Sequence, residues 1–202
     1  MKKVLFFAAM LMIGVVAYPK SESEIPGHPL FTDAGVVIDG VRWATRNADM
    51  LRGFTVNPED AGRFFQWNRQ QCWNAEGRSV NGWDSSIPEG TEWYAENDPC
   101  PEGWRVPTYE ELQSLKNVPN EWISKNGAYG RLFGTYPYQI FLPVAGSRNS
   151  RNSELALETF GYYWSSTQYD ETRAMSLWVL SGGVFTAEFN RASGYLVRCV
   201  AK

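Results

Sequence analysis

Gly161 to Val200 reads GYYWSSTQYDETRAMSLWVLSGGVFTAEFNRASGYLVRCV, and this stretch decides the fold. It opens on an aromatic block, Tyr162-Tyr163-Trp164, followed by a polar run from Ser165 to Arg173. Ala174–Leu180 and Val184–Phe189 then read as two strands joined by Ser181-Gly182-Gly183. A Gly-Gly pair between apolar runs marks a hairpin, because its central positions take φ > 0. Tyr195–Val200 reads as a third strand, with Tyr195, Val197 and Cys199 alternating against Leu196, Arg198 and Val200. The expectation is a small antiparallel sheet with one face buried and the other turned outward for function. Ser176, Trp178 and Leu180 share one face by alternation, and Met175, Leu177 and Val179 share the other.

Working outward, the chain of 202 residues carries a formal charge of −3. Residues 1–17 read as a cleaved secretory leader: Lys2-Lys3, an apolar run from Val4 to Val16, and small residues up to Ala17. That run is too short for a bilayer span, which needs about 20 residues. Without residues 1–17 the mature chain has 185 residues and, having lost Lys2 and Lys3, a charge of −5. This suits one exported domain with a full core, secreted or held at a bacterial surface or in the periplasm. An acidic balance provides no electrostatic footing for nucleic acid, and nothing beyond the leader calls for membrane insertion. Three cysteines in an exported chain allow one disulfide in three pairings, with one thiol left over.

Residues 18–34 (YPKSESEIPGHPLFTDA) hold three prolines and no apolar period, as an extended arm does. His28, the single histidine, lies in that arm and reads as solvated, which removes most histidine-based acid–base chemistry. Asp39-Gly40 between Val36-Val37-Ile38 and Val41-Arg42-Trp43-Ala44 is a strong hairpin signal. Asn57-Pro58-Glu59-Asp60 predicts a helix start, with Asn57 as cap and Pro58 in the first turn. Phe64-Phe65-Gln66-Trp67 reads as core. The loop from Gly77 to Pro99 is expected to be pinned by Trp83, Trp93 and Tyr94. Thr108 and Glu111 form a capping box for a second helix whose apolar face begins with Leu112 and Leu115. Glu110 and Glu111 do not face each other, so capping and solvation account for them better than catalysis. Residues 117–138 read as irregular, 139–145 (QIFLPVA) as a buried strand that Pro143 keeps at an edge or a bulge, and 146–153 as a polar loop. Mixed short strands with two short helices indicate an α+β domain. The sequence contains no phosphate loop, dinucleotide fingerprint, paired-cysteine zinc spacing or calcium loop, so neither cofactor nor metal is expected.

WATRN (43–47), NPEDAGRFFQWN (57–68), NDPCPEGWRVPTYEEL (97–112), GYYWSST (161–167) and GYLVRCV (194–200) resemble, in that order, the Fibrobacter succinogenes major paralogous domain family. That family is common in exported proteins of gut and rumen bacteria related to Bacteroides. It is grouped with C-type-lectin-like domains, formylglycine-generating enzymes and variable proteins diversified by retroelements. The resemblance spans Val36 to Val200. It implies a C-type-lectin-like fold, with two helices on a twisted, mostly antiparallel sheet occupying residues 35–202. It also implies a Cys100–Cys199 bridge, leaving Cys72 as a buried thiol or an intermolecular partner, with the buried thiol favoured. The Glu-Pro-Asn and Trp-Asn-Asp triplets of calcium-dependent lectins are absent, so sugar binding does not follow.

The same resemblance makes Tyr162, Tyr163, Trp164, Ser165, Ser166, Ala174, Leu177, Gly194, Val197, Arg198 and Cys199 scaffold. Between them, at positions that vary among relatives, lie Tyr169, Asp170, Glu171, Arg173, Met175, Trp178, Leu180, Phe185, Glu188 and Phe189. With Met175 set aside, these are the candidate ligand-binding residues, since exposed aromatics beside Arg and acids compose a recognition surface. Trp178 is expected to face outward because Leu177 is the apolar scaffold position. The leading expectation is a non-catalytic binding module for a surface glycan or protein. A structural subunit whose arm pairs with a neighbour's open sheet edge is second. An enzyme resembling formylglycine generators is third, and it would need a free, low-pKa Cys72.

Overall fold

The computed structural model describes residues 31–156 and 159–202; the leader, His28 and the arm up to residue 30 lie outside the described residues. In chain order the strands are β1 (Val36–Ile38), β2 (Val41–Trp43), β3 (Ala48–Asp49), β4 (Gly53–Phe54), β5 (Phe64–Phe65), β6 (Cys72–Trp73) and β7 (Trp104–Arg105). Helix α1 (Tyr109–Ser114) follows, then β8 (Asn120–Lys125), β9 (Ala128–Thr135), β10 (Tyr138–Pro143), β11 (Ser147–Arg148) and β12 (Leu155–Ala156). The last are β13 (Phe160–Gln168), β14 (Arg173–Leu180), β15 (Gly183–Asn190) and β16 (Val200–Ala201). Three sheets dominate, ordered β1-β2-β16-β7, β10-β9-β8 and β13-β14-β15, and every strand pairing in them is antiparallel. The protein is therefore mostly β, with one short α-helix among the described residues rather than two.

The second expected helix, at Asn57, is a turn. The Asp60 carboxylate accepts from the Asn57 backbone N–H at 2.8 Å, and Gly62 two residues on has φ +75°. A Cβ at Gly62 would lie 2.4 Å from the Ala48 carbonyl, so the chain docks against β3 instead of coiling. The Thr108–Glu111 capping box forms as read, and Glu111 also chelates Arg105. Asp39 and Gly40, at φ 50° and 78°, make the β1–β2 turn. Residues 117–138 are not irregular: they hold β8 and β9, joined by Asn126-Gly127 at φ 49° and 88°. Pro143 ends β10, an edge strand. Asp33, placed in the arm on sequence, ties the start of the domain down through Thr45 and Arg46.

Two apolar cores lie on either side of the C-terminal segment. One gathers Trp67, Trp93, Trp104, Trp164 and the Cys100–Cys199 disulfide, whose Cα atoms are 5.9 Å apart. The other gathers Leu112, Leu115, Phe133, Ile140, Tyr163, Leu177 and Val179. Residues 191–200 run between them, buried throughout. Tyr195, Val197 and Cys199 enter the first core, and Leu196 and Val200 the second. The expected alternation is present, yet the segment is not the third strand of the hairpin sheet. It bonds to Phe65, Trp164, Ala48 and Ala44 in turn, and the third strand is β13. Arg198 is fully buried with its guanidinium on Asn47 Oδ1 and the Ala44 and Phe141 carbonyls, and burial brings its pKa down to about 10. Each of its three nitrogens thus donates to a neutral oxygen, with no carboxylate among these acceptors.

Candidate functional site

The β14–β15 hairpin turns at Ser181-Gly182, and neither residue has positive φ, so the expected Gly-Gly turn is replaced by a tighter loop flanked by the Leu180–Gly183 pair. Arg131 from β9 donates to the Leu180 and Ser181 carbonyls at 3.0 and 2.8 Å, which pins the tip. Cross-strand register sets Tyr162 beside Trp178 and Trp178 beside Phe185, all on one face. Leu180, Phe160 and Phe189 share that face by period two. Trp178 stacks on Tyr162 at 6.1 Å and 3°, Tyr162 on Tyr195 at 4.6 Å, and Tyr195 on Trp164 at 4.4 Å. The rings grade from fully buried Trp164 through half-buried Tyr162 and Trp178 to Phe185, which is 48% exposed.

Two expectations change here. The hairpin does not have one buried and one free face: Leu177, Val179 and Val184 pack into the second core, while Ala174 and Phe189 on the opposite face pack into the first. Tyr195 causes this by lying on the inner half of the outward face. Only the corner near the Ser181-Gly182 tip, holding Phe160, Trp178, Leu180 and Phe185, stays half-open. Trp178 does share the more open face, but it is wedged among Phe160, Tyr162 and Phe185 rather than freely exposed. Its indole Nε1–H is buried with no partner among the described residues.

The polar candidates form a separate group at the other end of the hairpin. Arg173 and Glu188 lie on the face opposite Trp178, and Tyr169, Asp170 and Glu171 belong to the β13–β14 loop. Arg173 bonds Asp170 at 2.6 Å and Glu188 at 3.0 Å, and its guanidinium lies 4.6 Å from the Tyr169 ring centre. Asp170 also accepts from Thr172 and from the Arg173 backbone, and the Arg173 side chain holds its carboxyl well below the usual carboxylate range. The group largely satisfies itself, leaving exposed Tyr169 and Glu171 as its outward parts. The nine candidates thus divide into an aromatic corner, with Phe189 behind it, and an ion-paired loop end.

A cleft of about 490 Å³ elsewhere is lined in part by Asp49, Arg52, Gln70, Gln71 and Cys72. Its charged groups are engaged: Asp49 with Arg63, and Arg52 with the Ala95 and Glu96 carbonyls. Cys72 is a half-buried free thiol whose pKa is pushed up by burial, the reverse of an activated nucleophile. Among the described residues no group of three His, Cys, Asp or Glu side chains could hold a metal ion, and no helix is long and apolar enough to cross a membrane. The Gly77–Pro99 loop is pinned as expected by Trp93, in the core, and by Trp83, 4.5 Å from Trp73; Tyr94 is 39% exposed.

No family model, curated protein or solved structure matches the chain. Sequence reading missed Phe160 and Arg131 as parts of the corner. Phe160 was legible, since it precedes Tyr162 by two residues and so shares its face. Arg131 was not, because its role depends on β9 lying beside the hairpin tip.

Proposed function

We propose that the protein is an exported, non-catalytic recognition module of C-type-lectin-like architecture that binds a surface glycan or protein through the aromatic corner of its C-terminal hairpin. The observation that carries this is the half-open group of Phe160, Trp178, Leu180 and Phe185 on a hairpin anchored by two cores and by Arg131. Rigid aromatic side chains contribute contact area at low entropic cost, and such residues dominate binding energy at interfaces. The disulfide suits an oxidising compartment. Weighing against a formylglycine-generator-like enzyme, Cys199 is bridged and burial raises the Cys72 thiol's pKa.

Glycan arrays and capture from the native cell surface test the reading. Phe185→Ala and Trp178→Ala are expected to weaken a captured ligand at least tenfold, about 1.4 kcal/mol each. Arg173→Ala, whose side chain is spent on Asp170 and Glu188, is expected to change binding less. A ligand held with unchanged affinity by folded Phe185→Ala and Trp178→Ala proteins overturns the assignment of the corner.

A further inference from the structure

Among the described residues nothing pairs with the outer edge of β15, and the strand hydrogen-bonds along its length to β14 alone. A two-residue turn makes the flanking Leu180–Gly183 pair a hydrogen-bonded one, so Trp178–Phe185, Ser176–Ala187 and Ala174–Phe189 also exchange bonds. The backbone N–H and C=O groups of Val184, Thr186 and Glu188 therefore point away from the sheet. The other long edges among the described residues are guarded. β8 carries Glu121 and Lys125, β10 ends in Pro143, and the free side of β13 is bridged by Leu196 and Gly146. β15 runs eight residues without Lys, Pro or a bulge, and its one charge, Glu188, is paired with Arg173 at 3.0 Å. Natural sheets use such guards to prevent strand-to-strand association, and here they are missing.

We infer that the β15 edge binds the β15 edge of a second copy of this chain, in the antiparallel register that sets Ala187 opposite the second copy's Ala187. Twofold symmetry within a sheet requires residues of like face to oppose each other, which leaves registers centred on single residues. Centring on Glu188 opposes two carboxylates. Centring on Thr186 sets Phe189 against Gly183. Centring on Ala187 sets Phe185 against Phe189 twice, on the aromatic face and in the closely spaced non-hydrogen-bonded pairs, where aromatic pairs stabilise most. It also sets Thr186 against Glu188 twice, as the hydrogen-bonded pairs, so the outward backbone groups of both residues are used. Two three-stranded sheets become one of six strands. A second copy satisfies this edge with the strand's own sequence, and the inference stands whether or not the aromatic corner binds a glycan or protein.

The test uses the full mature chain in a Cys72→Ser background. Light scattering is expected to show the mass doubling as concentration rises. Under oxidised glutathione, Ala187→Cys should form a covalent dimer much faster than Phe185→Cys or Thr186→Cys, whose counterparts across the axis are Phe189 and Glu188. Thr186→Pro removes an outward N–H that β14 does not use, and should leave the melting temperature near wild type while the mass stays monomeric. If that variant melts early, Ala187→Lys places like charges opposite at the axis and must give the monomer instead. A monomeric mass at every concentration, or crosslinking equally fast at 185, 186 and 187, overturns the inference. So does β15 being filled by a strand from residues 1–30 or from another protein.

Discussion

One substitution made at two tryptophans should have very unequal consequences. Trp164 is fully buried, and its Nε1–H donates to the Phe65 carbonyl at 2.8 Å. Trp164→Phe removes that bond, which is worth about 1 kcal/mol net. The carbonyl keeps a second donor, the Tyr195 N–H at 3.0 Å, so the loss does not extend to a fully orphaned acceptor. The missing ring atoms leave a void beside Tyr195 within the first core, adding about 1–2 kcal/mol. Trp164→Phe should therefore cost about 2–3 kcal/mol. Trp178 is half-buried among three rings, and its buried Nε1–H bonds nothing among the described residues. Trp178→Phe sheds a desolvated donor that costs about 1–3 kcal/mol to bury, and loses a similar amount of apolar contact. The net change should be within about 1 kcal/mol of zero. Urea unfolding followed by far-ultraviolet circular dichroism reads both. A loss at Trp178 as large as that at Trp164 would mean that the indole N–H is satisfied and the graded burial of the stack is misread.

Reducing the Cys100–Cys199 bridge, or replacing both with Ser, opens a loop of 99 residues and should lower stability by about 4–5 kcal/mol, measured by urea unfolding with and without reductant. Burial raises the Glu111 pKa, but the Arg105 guanidinium and the Thr108 backbone outweigh it and hold the carboxyl below its ordinary value. The unfolded chain therefore binds a proton at higher pH than the folded one, so this contribution is present above the unfolded pKa and is lost as pH falls through the folded one. Melting temperatures of wild type and Glu111→Gln should differ near neutrality and converge in acid; a constant gap down to low pH would refute the coupling. Because burial raises the Cys72 pKa, iodoacetamide should label the native protein slowly at neutral pH and faster only in alkali, and rapid labelling at pH 7 would reopen the enzyme reading.

Chemistry that closes within a few residues was readable from the sequence. The Asp39-Gly40 turn, the Thr108–Glu111 capping box and the edge position of Pro143 have their partners close by or follow from backbone preference alone. The Cys100–Cys199 pairing came only through the family resemblance, since three cysteines alone leave three choices. Asn126-Gly127 carried the same turn chemistry as Asp39-Gly40 and was passed over within a stretch read as irregular. Asn57 carried a plausible cap, but Gly62 presses against the Ala48 carbonyl, and that contact is invisible in the local sequence. What only the tertiary structure decided was which faces are buried. Alternation in 195–200 and in β14 states that two faces differ; it does not state what covers each. Both faces of 195–200 are buried because the segment runs between two cores, and its Tyr195 closes half of the hairpin face that alternation alone would have left open. Period two is a property of the strand, whereas burial is a property of its neighbours, and here those neighbours come from residues 43–67 and 160–164, far away in the chain.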